Sequence, residues 1–192
     1  MYSVRIMSES MTNIKIENIV ASTSLGRRLD LQSILPKLEG AEYDPSRFPG
    51  LIYRIKEPKT ATLLFTSGKT VCTGAKSVDD LSLAIRKVES DIKAAGVDFD
   101  VESQIEIQNI VASSDLKQEV NLNDIAIGLG LENVEYEPEQ FPGLVYRNSD
   151  PKVVILIFSS GKLVCTGAKN PQQIETAVDQ LIRRFKNIGI LS

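Results

Sequence analysis

The stretch at residues 48–76, FPGLIYRIKEPKTATLLFTSGKTVCTGAK, returns at 141–169 as FPGLVYRNSDPKVVILIFSSGKLVCTGAK. Nineteen of the 29 positions are identical without a gap. Each copy sets a Phe before a Pro-Gly turn, a second Phe seventeen residues on, and a Ser-Gly-Lys turn between two apolar runs. A duplication of this length predicts a pseudo-symmetric molecule. Each copy also predicts three antiparallel strands, at 51–56, 60–65 and 69–73 in the first, joined by tight turns.

Working outward, residues 13–22 read as a strand, with Ile14, Ile16, Asn18 and Val20 on one parity. Asp30 is placed to cap a short helix carrying Leu31, Ile34, Leu35 and Leu38. Gly40 is expected to end it, and 41–43 to form a short strand. Ser77 opens a long helix with the stripe Leu81, Ala84, Ile85, Val88, Ile92 and Ala95, ended by Gly96. The second copy repeats the order: a strand at 105–113, a helix at 121–130, then a helix opened by Asn170-Pro171 with the stripe Ile174, Ala177, Val178, Leu181, Ile182 and Phe185. Residues 1–11 read as a flexible preface, 12–100 and 101–192 as the two repeats, and 97–103 as their join.

Two long helices can cover one face of ten strands. Yet the last strands are apolar at both parities. Leu63 and Phe65 oppose Leu64, and Leu156 and Phe158 oppose Ile155 and Ile157. One face is therefore expected to lie open and apolar, which marks an interaction surface.

Composition narrows the function. Histidine is absent, which excludes His-based triads, general bases and metal sites. Gly68-Lys69-Thr70 has Leu63 where a phosphate-binding loop needs its first Gly, and Gly128-Leu129-Gly130 lacks the third Gly of a dinucleotide fingerprint. No enzyme, metal or cofactor is expected. Cys72 and Cys165 read as small buried apolar side chains. No apolar run approaches the roughly 20 residues of a membrane span, and no signal peptide is expected. The net charge is -3, but residues 1–100 hold 14 Lys+Arg against 13 Asp+Glu, while 101–192 hold 8 against 12. An acidic total does not exclude a basic rim on one face.

The duplicated pattern NIVAS…DPSRFPGLIYR…EPK…LLF-x-SGK-x-VCTGAK resembles the core domain of the TATA-box-binding protein family, over nearly the whole chain. Phe-Pro-Gly in both copies and a short N-terminus resemble the archaeal branch. The resemblance implies an α+β saddle of two repeats, a ten-stranded curved antiparallel sheet with helices on the convex face. It implies a non-enzymatic initiation factor on the minor groove of an A·T-rich box, with transcription factor B and RNA polymerase as partners. It would be cytoplasmic and nucleoid-associated in an archaeon, nuclear in a eukaryote. A protein-binding or self-associating saddle, including a homodimer of the free protein, is the alternative for the same face.

By resemblance, Phe48 with Phe65 and Phe141 with Phe158 form two intercalating wedges. Asn18, Val20, Leu63, Val71, Thr73 and their counterparts Asn109, Val111, Leu156, Val164 and Thr166 form the groove floor. A guanine N2 amine would stay unpaired against such a floor, which favours A·T pairs. Any one strand Val or Thr is explained by β-propensity alone; the set carries the reading. Arg47, Arg54, Lys59, Ser67, Lys69 and Lys76, with Arg147, Lys152, Ser160, Lys162 and Lys169, are the implied phosphate contacts. Gln140 stands where Arg47 has its counterpart, in a loop reading Glu135-Tyr136-Glu137-Pro138-Glu139. Glu137 and Glu139 are the implied contacts to transcription factor B.

Overall fold

The computed structural model describes residues 13–100 and 104–192. The preface at 1–11 and part of the join at 97–103 lie outside the described residues. The chain divides into two compact units, one of Ile16–Val111 and one built on Ala112–Ser192.

The first unit carries β1 (Lys15–Ser24), α1 (Leu31–Ile34), β2 (Ala41–Glu42), β3 (Leu51–Ile55), β4 (Thr60–Leu64), β5 (Lys69–Ala75) and α2 (Val78–Ala94). The order is repeated by β6 (Glu106–Asp115), whose residues as far as Val111 belong to the first unit, and then by α3 (Leu122–Leu129), β7 (Val134–Glu135), β8 (Leu144–Ser149), β9 (Lys152–Ile157), β10 (Lys162–Ala168) and α4 (Pro171–Asn187) of the second. The strand order is β2-β3-β4-β5-β1-β6-β10-β9-β8-β7, the second five mirroring the first. Within each unit the hairpin neighbours pair antiparallel.

The expected helix starts are capped: Asp30, Ser77 and Asn170 accept from backbone N–H groups at the starts of α1, α2 and α4, and Asn121 does the same for α3. A capping side chain satisfies a donor that the helix itself leaves without a partner. α1 is shorter than its apolar pattern: it gives way to a 3-10 turn, Leu35–Lys37, because Pro36 has no N–H to continue the ladder. β1 and β6 each run two residues further than expected, because β1 stays paired with β5 as far as Ser24 opposite Lys69.

The core of each unit lies between the long helix and one face of its strands. In α2, Leu81, Ala84, Ile85, Val88 and Ile92 are buried, and in α4 the whole predicted stripe is buried. Facing them are alternate strand residues: Leu51, Tyr53, Ile55 and Leu64 in one unit, Leu144, Tyr146, Ile155 and Ile157 in the other. Fully burying a Leu, Ile or Val contributes about 1.5–3 kcal/mol against leaving it in water, so these stripes set which face the helices take. The intervening strand positions, including Ile52, Leu63, Val71 and Val145, Leu156, Val164, stay half-buried. In each unit, the apolar residues of the second parity lie on the face without the helix.

Candidate nucleic-acid interface

Each unit presents a pair of phenylalanine rings at the edge of its open face. The loop before Phe48 closes when the N–H groups of Arg47 and Phe48 donate to the Asp44 carbonyl, at 3.1 and 3.0 Å. The Asp44 carboxylate also accepts from the Ser46 N–H at 3.1 Å and its hydroxyl at 2.6 Å. Phe48 then meets Phe65 edge to face, with centroids 5.9 Å apart and planes at 66°. In the second unit Gln140 and Phe141 donate to the Glu137 carbonyl, and Phe141 meets Phe158 at the same 5.9 Å and 66°.

The Pro-Gly of each loop has a packing reason. A Cβ at Gly50 would stand 2.7 Å from the Phe48 ring and 3.1 Å from that of Phe65; at Gly143 the distances to Phe141 and Phe158 are 2.8 and 3.0 Å. Only glycine lets both rings lie over the turn. Phe48 and Phe141 remain 36% and 38% exposed. A core phenylalanine would be close to zero, so these rings are held outward.

Between the rings and the centre, the floor is built by register. Ile52 pairs Leu63, and Leu63 pairs Val71; in the second unit Val145 pairs Leu156, and Leu156 pairs Val164. Pairing puts these side chains in rows on one face. Val20 and Val111 are half-buried in β1 and β6. Ile52, Ala61, Val145 and Val154 share that face and were missed by the sequence reading. Their signal was the two-sided apolar pattern of LIYRI, in which Ile52 opposes Tyr53.

One polar couple interrupts the first floor. The Asn18 Oδ1 accepts from the Gly74 N–H at 2.7 Å, which fixes the amide's orientation. Its Nδ2 donates to the Thr73 hydroxyl at 3.1 Å. The Thr73 hydroxyl lies 3.3 Å from Asn18 Oδ1 and donates back to it, so one amide hydrogen is left to donate outward, the requirement for reading acceptor-only base edges. Asn109 and Thr166 stand at the corresponding places, both half-buried.

The predicted cations are exposed around this surface, but three are paired. Arg54 pairs with Glu42 at 3.1 Å and Arg147 with Glu135 at 3.0 Å, each across neighbouring strands. Arg47 pairs with Asp44 at 3.4 Å. Such exposed pairs are weak, so a phosphate can displace the carboxylate. Lys59, Lys69, Lys76, Lys152, Lys162 and Lys169 are exposed, as are Ser67 and Ser160, Gln140, Glu137 and Glu139.

Both cysteines are buried. Burial pushes the Cys165 thiol up to about 12 and the Cys72 thiol also upward, the latter partly offset by the Thr62 and Thr60 hydroxyls. Neither is a poised nucleophile. Among the described residues no group of three or more His, Cys, Asp or Glu is placed to hold a metal ion. No helix among them is long and apolar enough to cross a membrane.

A helix-backed sheet with an open apolar face, outward aromatic pairs and a cationic rim defines a protein that binds along an extended macromolecule. Comparison with known proteins specifies the class. The family model described as transcription factor TFIID (or TATA-binding protein, TBP) matches residues 13–95 and 104–188. TATA-box-binding protein E of Halobacterium salinarum is 55% identical over 185 residues, covering 96% of this chain and all of that one. The TATA-box-binding protein of Methanothrix thermoacetophila is 57% identical over 181 residues, covering 94% and 99%. The solved structure of Methanococcus jannaschii TBP superposes with a TM-score of 0.82 at 50% identity, over 91% of this chain and 99% of that one. The chain belongs to the TATA-binding protein family of transcription factors, in the company of archaeal members, and is not an enzyme.

Proposed function

We propose that this chain is a general transcription initiation factor that binds an A·T-rich promoter box in the DNA minor groove and kinks it. The two outward phenylalanine pairs at the edge of an open apolar face support this most directly. Phe48 with Phe65 and Phe141 with Phe158 wedge into base steps at the two ends of the site. Unstacking a step costs about a few kcal/mol, least at flexible pyrimidine–purine steps, and is offset by the apolar surface that the bent groove covers. Val20, Leu63, Val71, Val111, Leu156 and Val164 line the floor. Asn18 and Asn109, with Thr73 and Thr166, donate to adenine N3 and thymine O2. The rim cations hold phosphates without reading sequence.

Glu139 in place of Ser46 and Gln140 in place of Arg47 make the second loop more acidic than the first, and we assign Glu137 and Glu139 to transcription factor B, which brings RNA polymerase to the bent DNA. In free protein the same apolar face can pair with a second copy. The deciding test is a gel shift on an A·T-box duplex against a G·C control. Tight, box-selective binding that is lost when all four phenylalanines become Ala supports the wedge mechanism. Retained binding and bending by that variant refutes it. Dissociation of a free dimer on adding the box would place self-association on the same face.

A further inference from the structure

The layer under the long helix is poorer in apolar contact in the first unit than in the second, and most of the difference lies in one hairpin. β4 and β5 bury Thr60, Thr62 and Thr70 where β9 and β10 bury Val153, Ile155 and Leu163. We propose that the β4–β5 hairpin is a compliant mount, which opens locally at equilibrium while the β9–β10 hairpin stays closed. Phe65 directly follows β4 and Phe158 directly follows β9, so one ring of the first phenylalanine pair rides on the softer segment. The inference holds whatever the open face binds, because it concerns the free chain.

A buried hydroxyl holds a hairpin in place only when it bonds to something outside that hairpin. Thr60 donates to the Pro58 carbonyl at 3.2 Å and Thr70 to the Gly68 carbonyl at 3.4 Å, each two residues back in its own chain. Those bonds survive when the hairpin lifts away from α2. The Thr62 hydroxyl is buried without a partner of regular geometry among the described residues. It has left water without compensation, and opening returns it to water. The matching Ile155 is fully buried, as are Val153 and Leu163, and opening exposes apolar surface there instead. Segments with less buried apolar contact are the ones that open below the global free energy.

The helices repeat the contrast. α4 buries Ile182 and Phe185 where α2 has Glu89 and the smaller Ile92. One carboxylate oxygen of Glu89 is buried with no hydrogen-bond partner among the described residues. Strands and helix thus weaken the same layer separately. The cysteines do not distinguish the units, since Cys72 lies opposite Thr62 as Cys165 lies opposite Ile155. Thr23 and Ser114, each with a buried hydroxyl lacking a partner, hold corresponding places and cancel in the comparison. Asn148, buried where β3 has Ile55, is the polar residue on the other side. Its amide donates to the Pro151 carbonyl at 2.8 Å and to Gln180 Oε1 at 3.0 Å, and its Oδ1 accepts from the Tyr146 hydroxyl at 3.3 Å. Because Gln180 belongs to α4, this network ties the second unit's sheet to its helix.

The test is amide hydrogen exchange of the full chain, read residue by residue by NMR. Protection factors are expected to be about a hundredfold lower in β4 and β5 than at the matching residues of β9 and β10. Thr62→Val with Thr70→Val keeps the shape of both side chains, and is expected to raise protection in β4 and β5 about tenfold while leaving β9 and β10 unchanged. Val153→Thr is expected to lower protection in β9 and β10 about tenfold. Equal protection of the two hairpins in the wild-type chain overturns the inference. So does a Thr62→Val, Thr70→Val chain whose β4–β5 protection stays at the wild-type level or falls. The wild-type comparison needs no substitution, so it decides the matter even where a variant fails to fold.

Discussion

At the scale of single residues, the placement of the two ring pairs depends on two glycines that carry no chemistry. Gly50 and Gly143 are needed for the space above them, which the two rings fill. Gly50→Ala drives a methyl to within 2.7 Å of the Phe48 ring, an end of a side chain that can swing away. The expected outcome is a melting temperature close to wild type with box affinity down about tenfold, or about 1.4 kcal/mol. Gly143→Ala should do the same at the other end. Gel shift and thermal melts check both, and a variant that binds normally would show that ring placement does not matter. The Asn18–Thr73 couple is a residue-scale device too. The backbone N–H of Gly74 orients the amide, which fixes the direction in which its free N–H points.

Between the elements, the two units differ under their helices. β4 and β5 bury Thr60, Thr62 and Thr70, where β9 and β10 bury Val153, Ile155 and Leu163. The Thr62 hydroxyl is fully buried with no hydrogen-bond partner of regular geometry. Such a group costs about 1–3 kcal/mol, so Thr62→Val, which keeps the shape, is expected to stabilise the protein by about 1 kcal/mol. A chain of this length should then melt about 2–4 °C higher. A lower melting temperature would mean that the hydroxyl makes a bond with the Cys72 thiol opposite it. Alkaline pH probes the same layers. Burial, and then the Asp91 carboxylate that accepts from its hydroxyl at 2.7 Å, pushes the Tyr53 phenol up to about 12. A phenol raised in the folded state contributes stability that is complete below its unfolded value near 10 and is lost as pH climbs through 12. The buried Cys165 thiol, also raised to about 12, loses its contribution from near 8.5 upward. Urea melts should show stability falling from about pH 8.5 to 12, with a shallower fall in Cys165→Ala and in Tyr53→Phe. An unchanged limb in both variants would remove these groups as its cause.

For the whole molecule, near-twin halves leave the orientation on DNA underdetermined, and the asymmetric side chains are what can break the tie. Glu137 has the acidic counterpart Asp44 in the first loop, but Glu139 stands in place of Ser46 and Gln140 in place of Arg47, so the second loop is the more acidic. Glu137→Lys with Glu139→Lys is expected to keep box binding but to lose the supershifted complex with transcription factor B. Because exposed charges act through screened fields, the loss should be largest at low salt. A supershift that survives would move that contact elsewhere.

The amino-acid sequence determined the repeat, the strand and helix order, the helix caps and the two-sided apolar strands. These rest on local periodicity and on side chains bonding to neighbouring backbone. The outward phenylalanines were expected through the family resemblance, with the Pro-Gly loop tip beside Phe48 and Phe141 as the one supporting sign in the residues themselves. It did not show that Ile52, Ala61, Val145 and Val154 share the floor, because parity in a short strand acquires a direction only when its neighbour pairs with it. It did not show that Arg54 and Arg147 are held by Glu42 and Glu135, which are twelve residues away in the chain and one strand away in space. Those depend on the register between neighbouring strands and on the side chains across it, which only the folded sheet sets.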